Sequence, residues 1–349
     1  MMSKMPRIGI TGASGQLGYV MSARLGYHHG FEIIPASHAE LSDADALVTF
    51  LETVDLIVHL AGVNRASNEE IERGNIGLAR TLTDACERAG RGLPILYAST
   101  THRDLDTSYG RSKAAAAEIF RDSAARMGTR FCELVLPNLF GEFTRPNYNS
   151  FVATFCDQIV NGQRPSVHSD AEVRLMHYVD AADEFANAIT NELEGQIRPL
   201  AALTSVQSVA DMLTEFHEGY QQGKIPDLRD TFKRDMFNTL RSCMYPGMFP
   251  FKLTRHSDPR GSFFECIRME SGGQVSFSTT VPGITRGNHF HFRKVERFLG
   301  LSGNARISIR RLGFEQPQHF DVTGDLPCFI DMPTFHTHNI TNTGSGELL

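Results

Sequence analysis

The sequence predicts an α/β fold with a doubly wound parallel sheet, followed by an all-β domain. A glycine-rich loop lies between a strand pattern and a helix pattern near the N-terminus, strand and helix patterns then alternate, and short β-rich runs replace them beyond residue 250. A chain of 349 residues is long enough for two domains with separate cores. Prolines and a glycine interrupt the pattern over 242–252, so we predict domains at 1–245 and 246–349.

The composition is ordinary for a soluble globular protein, with 41% hydrophobic and 21% charged residues. A net charge of −6 argues against a general nucleic-acid or anionic-membrane binder, so we expect neither as a partner. The six cysteines are scattered without a Cys-x-x-Cys pair, which is typical of reduced thiols in a cytosolic protein. No apolar run approaches the length of a membrane span, and the N-terminus leads directly into a strand, so we expect a cytoplasmic protein.

A candidate dinucleotide-binding loop follows the first predicted strand, over 7–11. Gly12, Gly15 and Gly18 are spaced as Gly-x-x-Gly-x-x-Gly and precede a helical pattern over 19–25. Glycines let the backbone approach a pyrophosphate, and the helix N-terminus provides N–H groups and the positive end of a dipole. The alternative is a glycine-rich turn without a ligand.

Further strands and helices continue the alternation. Strands are predicted over 31–36, 56–62, 94–100 and 130–136, and helices over 74–89, 112–127, 203–220 and 232–241. In parallel sheets of the Rossmann type, ligands bind beyond the carboxyl ends of the strands. Thr11, Gly62, Thr100 and Asn138 all lie at such ends, so we expect them to converge on one cleft.

The end of the second predicted strand bears on the choice of cofactor. NAD-preferring folds usually place an acid there to bind the ribose 2′-hydroxyl. This strand ends in Ala36, Ser37 and His38, without an acid, so we favour NADPH. Asp43 is either a solvated loop acid or a contact on the adenine side.

Tyr109 and Lys113 stand four residues apart at the head of the predicted helix over 112–127. Residues i and i+4 share one face of a helix, so the phenol and the ammonium project into the same space. A phenol beside a fixed cation ionises more easily, which makes Tyr109 a candidate for proton transfer near neutral pH. The spacing alone is common, and its weight comes from the motifs around it.

Together these motifs resemble the extended short-chain dehydrogenase/reductases that act on nucleotide sugars, and the resemblance spans roughly residues 7–240. The motifs are Thr11-Gly-x-x-Gly-x-x-Gly18, His59-x-Ala61-Gly62, Asn75, Ser99-Thr100, Tyr109-x-x-x-Lys113, Pro137-Asn-Leu-Phe-Gly141 and Arg174-Leu-Met-His-Tyr-Val-Asp180. The cofactor-binding residues that it implies are Gly12, Ser14, Gly15, Gln16, Leu17, Gly18, Ser37, Leu60, Ala61, Gly62, Asn75, Tyr109 and Lys113.

The resemblance also implies catalytic roles. Tyr109 protonates the ketone oxygen of the sugar, and Lys113 holds the nicotinamide ribose and lowers the pKa of Tyr109. Thr100, or otherwise Ser99, forms a hydrogen bond with the substrate oxygen; Thr100 is preferred because the catalytic hydroxyl of the family usually falls there. The alternative for both hydroxyls is a turn cap at the strand end.

The same resemblance implies contacts with the substrate. Asn138 and Arg174 contact the nucleotide sugar, with the arginine matching the family's pyrophosphate contact. Arg145 belongs to a polar loop over 142–150 that directly follows Asn138. We therefore expect this loop to line the substrate side of the cleft rather than to be a plain surface loop.

The last hundred residues have the pattern of an all-β barrel or jelly roll. Short strands are predicted over 263–267, 274–281, 297–301, 305–312 and 328–330. His289 and His291 face the same way if they lie on one strand, and Glu296 adds a carboxylate. With a third imidazole downstream, this set suits zinc or another first-row divalent ion. The alternative is a group of unrelated surface histidines.

The spacing of these residues resembles both cupin motifs. The first motif runs from Gly283 to Gly303 and is complete. The second has Phe335 where the family usually has glycine, and its ligand is either His336 or His338, of which the register favours His338. A cupin barrel normally continues with another strand, so we expect a C-terminally truncated barrel or one that closes differently or through a partner subunit.

The segments 258–265 and 285–289 also resemble the sugar 3,5-epimerases of deoxysugar pathways, which share the cupin barrel. This resemblance implies that Arg260 orients the nucleotide sugar and that a metal polarises the C4 carbonyl and acidifies the neighbouring C3–H. Lys294 and His336 are two conceivable bases, and each has a bystander role as its alternative.

A reductase domain followed by a cupin resembles a family of bifunctional enzymes of capsular-polysaccharide synthesis. The resemblance implies C3 epimerisation of a UDP-2-acetamido-4-keto-6-deoxy-L-hexose in the cupin. NADPH-dependent C4 reduction then gives UDP-2-acetamido-2,6-dideoxy-L-talose, on the route to UDP-N-acetyl-L-fucosamine. Epimerisation comes first because the 4-ketone is what makes C3–H acidic.

Two alternatives and an oligomeric state complete the prediction. The chain could be a monofunctional nucleotide-4-ketodeoxysugar reductase, similar to dTDP-4-dehydrorhamnose reductase, whose cupin only drives dimerisation. It could also be a non-catalytic, cofactor-bound sensor or scaffold, against which the intact Tyr109 and Lys113 speak. Cupins commonly pair, so we expect a homodimer.

Overall fold

A computed structural model describes residues 5–252, 256–258, 261–263, 268–269 and 279–349, with only the backbone for 256–258, 261–263 and 268. The first elements in chain order are β1 (Arg7–Thr11), α1 (Gln16–Ala23), a π-helical turn (Arg24–His28), β2 (Glu32–Pro35), α2 (His38–Ser42), α3 (Ala44–Glu52), β3 (Leu56–His59), α4 (Asn68–Arg88), β4 (Ile95–Thr100), a 3-10 turn (Thr101–Asp104), α5 (Ser108–Met127), β5 (Phe131–Leu136), β6 (Asn138–Phe140), α6 (Phe151–Val160), β7 (Glu172–His177), α7 (Tyr178–Thr190), β8 (Gly195–Ile197) and β9 (Ala202–Ser205).

The remaining elements include two helices and the strands of the C-terminal region. They are α8 (Val206–Gln221), β10 (Lys224–Ile225), α9 (Thr231–Met244), β11 (Phe251–Lys252), β12 (His256–Asp258), β13 (Gly261–Phe263), β14 (Arg268–Met269), β15 (Thr285–His289), β16 (Glu296–Leu299), β17 (Asn304–Arg311), β18 (Gln318–Thr323), β19 (Cys328–Met332) and β20 (His336–Asn342). Among the described residues, no helix combines the length and the apolar character needed to cross a membrane.

Two compact units divide the chain. One comprises residues up to 139 together with 173–203, and the other comprises 140–172 together with 204–349. The first contains the parallel sheet, and the second contains α6, α8, α9 and the antiparallel strands. The boundary between 245 and 246, which divides the sequence by its patterns, stays a prediction.

The parallel sheet of the first unit has the order β2-β1-β3-β4-β5-β8, and every neighbouring pair is parallel. Its four central strands are buried on both faces. Val58 belongs to one apolar cluster with α1 and α7, whereas Ile57 belongs to another with α3, α4 and α5. The doubly wound α/β fold is therefore confirmed. Its carboxyl edge brings Thr11 beside His59 and Thr100 beside Leu136.

The antiparallel strands of the second unit form a sheet with the order β15-β20-β17-β18 and another with the order β11-β19-β16. They confirm the predicted all-β, cupin-like character, with β16, β17 and β19 close to the predicted positions. The predicted strands over 263–267 and 274–281 lie largely outside the described residues. The backbone of Leu348 pairs with Thr280, so the last residues join this β-structure.

Helices α4 and α5 begin several residues earlier than the sequence pattern predicts. Helix α4 begins at Asn68 rather than at 74, because Ser67 and Glu70 form a capping box at its N-terminus. Helix α5 begins at Ser108 rather than at 112, because the Thr107 hydroxyl accepts a hydrogen bond from the Gly110 N–H at 3.0 Å. The earlier start of α5 places Tyr109 within the helix that carries Lys113.

Candidate active site and metal centre

The glycine loop makes close backbone contacts that only glycine permits. Gly12 has a φ of +74°, and a Cβ there would lie 2.7 Å from the Ala61 nitrogen. A Cβ at Gly18 would lie 2.2 Å from the Gly12 carbonyl oxygen. The N-cap of α1 is Gly15, which contributes no side-chain hydrogen bond to the helix. The loop thus fits a dinucleotide at the helix N-terminus.

The ends of β2 and β3 carry other predicted cofactor residues. The Ser37 hydroxyl caps α2, and the backbone N–H of Ser37 donates a hydrogen bond to the Glu40 carboxylate at 2.6 Å. Glu40 is an acid five residues beyond the end of β2, and the sequence analysis does not include it. The Asp43 carboxylate caps α3, which is a structural role for that residue. The choice between NADPH and NADH stays a prediction.

Asn75 fixes the loop after β3 to helix α5. Its side-chain oxygen accepts from the Val63 N–H at 2.8 Å, and its nitrogen donates to the Val63 carbonyl and to the Ser112 hydroxyl, each at 2.9 Å. The Ser112 hydroxyl donates to the Tyr109 carbonyl at 2.8 Å. Asn75 therefore positions the predicted cofactor residue Gly62, whose added Cβ would lie 3.0 Å from the Asn75 oxygen.

Lys113 is deeply buried beside strand β4. The residue is only 6% exposed. Its Nζ donates a hydrogen bond to the Ala98 carbonyl at 2.6 Å and lies 4.3 Å from the centroid of the Tyr97 ring. Burial lowers the pKa of Lys113 to about 7, although the Glu133 carboxylate acts in the opposite direction.

Tyr109 does not show the lowered pKa that the sequence predicts for it. Burial raises the pKa of the Tyr109 phenol, because the phenolate loses hydration there. The neighbouring Lys113 ammonium donates instead to the Ala98 carbonyl. In this structure, Tyr109 is thus a protonated phenol at neutral pH, which suits a proton donor.

Ser99 and Thr100 have different surroundings at the end of β4. The Thr100 hydroxyl accepts a hydrogen bond from the His102 N–H at 3.2 Å and caps the 3-10 turn. The Ser99 hydroxyl is buried and has no hydrogen-bond partner among the described residues. Buried hydroxyls are rarely left without a partner, so Ser99 has an unused donor and acceptor. Which hydroxyl binds the substrate stays a prediction.

His59 belongs to the predicted His59-x-Ala61-Gly62 motif, although the sequence analysis gives it no individual role. His59 Nδ1 lies 2.9 Å from the Thr11 hydroxyl, at the carboxyl edge of the sheet. Burial lowers the pKa of His59 to about 3, with a smaller contribution from the Lys113 charge. His59 is therefore neutral and joins β3 to β1 beside the glycine loop.

The predicted substrate residues lie in different parts of the chain. Asn138 and Arg174 are exposed in the first unit, on β6 and β7. Arg145 is exposed in the second unit, with its guanidinium 5.4 Å from the centroid of the Tyr148 ring. Arg260 lies outside the described residues. The substrate contacts of all four stay predictions.

The predicted metal ligands do come together in the second unit. One ligand atom from each of His289, His291, Glu296 and His338 lies within 4.8 Å of the others. From the Glu296 Oε2, the nearest imidazole nitrogens are at 2.8 Å in His338, 3.2 Å in His291 and 3.7 Å in His289. Three imidazoles and one carboxylate fit a first-row divalent ion such as zinc.

A bulge in β15 brings the histidines into register. Gly287 pairs with Asn339, and His289 then pairs with His338, which leaves Asn288 as an extra residue with a φ of +61°. Strand β15 ends at His289, so the predicted alternation along one strand does not place His291, which lies beyond the strand end. The turn after β15 brings His291 back to Glu296 instead.

The ligands are oriented by a second layer of contacts. His338 Nδ1 lies 3.4 Å from the His336 carbonyl, which directs Nε2 towards Glu296. The His338 imidazole, followed by the Lys294 ammonium at 2.6 Å, lowers the pKa of Glu296 well below its ordinary range. His336 itself is buried beside Tyr245 and is not part of the ligand cluster.

Comparison with known proteins assigns the chain to a family. The NAD dependent epimerase/dehydratase family matches residues 8–198, and a polysaccharide biosynthesis C-terminal domain matches residues 256–349. The UDP-2-acetamido-2,6-beta-L-arabino-hexul-4-ose reductase of Pseudomonas aeruginosa is 33% identical over 346 residues, which cover 97% of this chain and 92% of that protein. The chain belongs to the NAD-dependent epimerase/dehydratase family.

Solved structures support the same placement of this family member. The capsular polysaccharide assembling protein CapF of Staphylococcus aureus is 32% identical, with a TM-score of 0.66, over 98% of this chain and 94% of that one. RMD of Pseudomonas aeruginosa, solved with NADPH, is 18% identical, with a TM-score of 0.54, over 61% of this chain and 83% of that one, and shows the fold alone. The predicted resemblance to the capsular-polysaccharide enzymes is confirmed: this family member is CapF-like.

Proposed function

We propose that the chain is a bifunctional nucleotide-sugar enzyme that epimerises C3 at the metal centre and then reduces C4 at Tyr109. The substrate is a UDP-2-acetamido-4-keto-6-deoxy-L-hexose and the product is UDP-2-acetamido-2,6-dideoxy-L-talose, on the route to UDP-N-acetyl-L-fucosamine. One observation carries the proposal: a Tyr–Lys pair on a dinucleotide-binding fold and a four-ligand cluster occur in one chain. The printed name of the Pseudomonas aeruginosa relative, a UDP-2-acetamido-hexulose reductase, supports the substrate class.

In the reduction, the chain's own residues bind and protonate. Tyr109 donates its phenolic proton to the C4 oxygen. The raised pKa of Tyr109 keeps the phenol protonated before this transfer. Lys113 binds the nicotinamide ribose, and the Thr100 or Ser99 hydroxyl donates to the same substrate oxygen. NADPH, when bound along the loop with Gly12 and Gly18, supplies the hydride.

In the epimerisation, His289, His291, Glu296 and His338 would hold a divalent ion, for which zinc is our choice. The ion, when bound, supplies the Lewis acidity that acidifies C3–H next to the C4 carbonyl. The chain must then remove the C3 proton and return one to the opposite face. Arg260 is proposed to orient the nucleotide sugar, and Lys294 and His336 remain the two candidates for the base.

Incubation of the enzyme with NADPH and the UDP-4-keto sugar in deuterated water tests the proposal. Deuterium at C3 of the product together with NADPH oxidation is the expected result. Oxidation without C3 exchange would leave a monofunctional reductase with a structural C-terminal domain. If neither NADPH oxidation nor C3 exchange occurs, the chain is better explained as a cofactor-binding sensor or scaffold. We also propose a homodimer, which light scattering of the purified chain would test.

A further inference from the structure

We infer that Glu142 is a positioning residue for the metal centre and acts through Thr334 and His336 on the ligand His338. The inference rests on the metal site in the proposed function. Glu142 lies 192 positions before Thr334, within the stretch matched by the epimerase/dehydratase family. The ligands lie in the stretch matched by the polysaccharide biosynthesis C-terminal domain. The metal centre would thus depend on a residue that the other half of the sequence supplies.

The contact between Glu142 and Thr334 is completely buried within the second unit. Glu142 is 0% exposed and Thr334 is 2% exposed, and the Thr334 hydroxyl donates to the Glu142 Oε1 at 2.5 Å. A buried carboxylate is costly unless charges and hydrogen bonds offset its lost hydration. The buried Arg241 supplies opposite charge, because Glu142 raises the pKa of that guanidinium against the effect of burial. The carboxylate therefore holds Thr334 in a fixed place.

From Thr334, hydrogen bonds continue along the start of β20 to the metal ligand. His336 Nδ1 lies 2.8 Å from the Thr334 carbonyl, and because a carbonyl only accepts, this nitrogen carries the proton. His338 Nδ1 lies 3.4 Å from the His336 carbonyl in the same way. Nε2 of His338, which lies 2.8 Å from the Glu296 Oε2, is then the nitrogen that would bind a metal. Backbone carbonyls commonly orient metal-binding histidines in this manner.

The residue next to Glu142 reinforces the same contact. The Phe143 ring packs against Phe335 with 5.9 Å between ring centroids and against His336 with 5.5 Å, and the Arg311 guanidinium lies 3.7 Å from its centroid. Phe143 and Phe335 have φ values of +66° and +59°, which residues with side chains rarely adopt. Such conformations persist only where the surroundings determine them strongly. The packing therefore fixes the segment that leads into His338.

The test measures metal binding by the full-length chain rather than catalysis. After metal removal, Zn²⁺ affinity is obtained by competition with a chelating dye, and the visible absorption of bound Co²⁺ reports ligand geometry. Glu142→Gln keeps the size of the side chain and removes its charge, and Thr334→Val removes the hydroxyl with little change in shape. We expect each variant to weaken Zn²⁺ binding roughly tenfold and to alter the Co²⁺ spectrum, because residues behind a metal ligand commonly contribute about 10- to 100-fold in affinity.

Glu133→Gln is the matched control. Glu133 is also 0% exposed, lies in the parallel sheet, and accepts hydrogen bonds from Arg103 at 2.6 Å and Gln196 at 3.0 Å. Loss of its charge is expected to lower stability while leaving the Zn²⁺ affinity and the Co²⁺ spectrum of the wild type unchanged. A comparable loss of affinity in this control would show a general effect of destabilisation and would overturn the inference.

Two further outcomes separate the inference from the proposed function. If Glu142→Gln and Thr334→Val fold, as judged by circular dichroism and NADPH binding, and bind both ions as the wild type does, the positioning role is wrong and the metal site stands. If the wild type itself binds neither ion, the metal site and the inference that rests on it both fail. Should Glu142→Gln not fold, the near-isosteric Thr334→Val decides alone.

Discussion

The two candidate sites are assembled in different ways from one chain. Tyr109 and Lys113 are neighbours on a single helix, and their surroundings are the ends of adjacent parallel strands. His289 and His338 lie on paired strands distant in sequence, and a bulge is needed to align them. Regular elements place the first pair by spacing alone, whereas irregular backbone places the second. The first site should therefore tolerate distant changes better than the second.

The largest expected effect separates the two sites chemically. Tyr109→Phe removes the proton donor and keeps the ring, so we expect NADPH oxidation to fall by about 10³-fold, within the usual range for a lost acid–base group. Deuterium exchange at C3 should remain at the wild-type rate, because the proposed metal ligands belong to the other unit. Product analysis by mass spectrometry measures both. Loss of the exchange as well would contradict two independent sites.

The reciprocal change is Glu296→Gln at the metal centre. Replacing the anionic ligand by an amide should weaken Zn²⁺ binding by at least about 100-fold, more than the loss of a residue behind a ligand, and should abolish C3 exchange. NADPH oxidation with a sugar already epimerised at C3 should continue. His319→Gln is the control, since His319 is an exposed histidine of the same unit outside the cluster. Equal metal affinity in both variants would disprove the assigned ligand.

A smaller effect concerns the pH dependence of stability. Burial lowers the pKa of Lys113 from 10.5 to about 7, so between these values the unfolded chain binds more protons than the folded chain at this residue. The contribution of Lys113 to the free energy of unfolding should therefore rise with pH across this window, by up to a few kcal/mol at about 1.4 kcal/mol per pKa unit. In Lys113→Met this rise should disappear.

Denaturant unfolding at several pH values between 7 and 10.5 measures that slope. Lys233→Met is the control, because Lys233 is exposed and its substitution should leave the slope of the wild type unchanged. The same slope in the wild type and in Lys113→Met would show that Lys113 is not the buried titrating group.

The smallest expected effect compares two helix caps. Thr107→Ala and Ser67→Ala each remove an N-cap hydroxyl and should each cost about 1 kcal/mol of stability. Only α5 carries Tyr109 in its first turn, so only Thr107→Ala should also lower the rate of NADPH oxidation, by a few-fold. Thermal unfolding and steady-state kinetics check the pair. Equal rates in the two variants would show that the cap does not position Tyr109.

Much of the fold follows from the sequence because buried parallel strands are continuous apolar runs. Strands β1, β3, β4 and β5 lie close to their predicted positions. The predicted starts of α4 and α5 are wrong because polar caps, rather than apolar periodicity, decide where a helix begins. Ser67 and Glu70 do show the spacing of a capping box, so that sequence signal was available. Helices α2 and α3 are too short for a clear periodicity.

The sites follow from the sequence only where the chemistry is local. The Tyr–Lys spacing places both residues on one helix. The cupin-like spacing identifies the four residues of the cluster, but a bulge and a turn, rather than strand alternation, bring them together. The raised pKa of Tyr109 does not follow, because it depends on burial in the folded chain. The contact between Glu142 and Thr334 joins residues 192 positions apart, and no local sequence pattern predicts it. Tertiary packing determines both.

Phe335 shows which backbone conformation one glycine position of the cupin motif requires. The cupin motif usually has glycine at this position, and the backbone of Phe335 has a positive φ of +59°, which glycine adopts freely. This chain meets the requirement with a phenylalanine whose side chain is completely buried. A motif written as residue letters rejects such a sequence, whereas one written as backbone angles and ligand positions accepts it. Motif searches for this kind of site would gain from the second form.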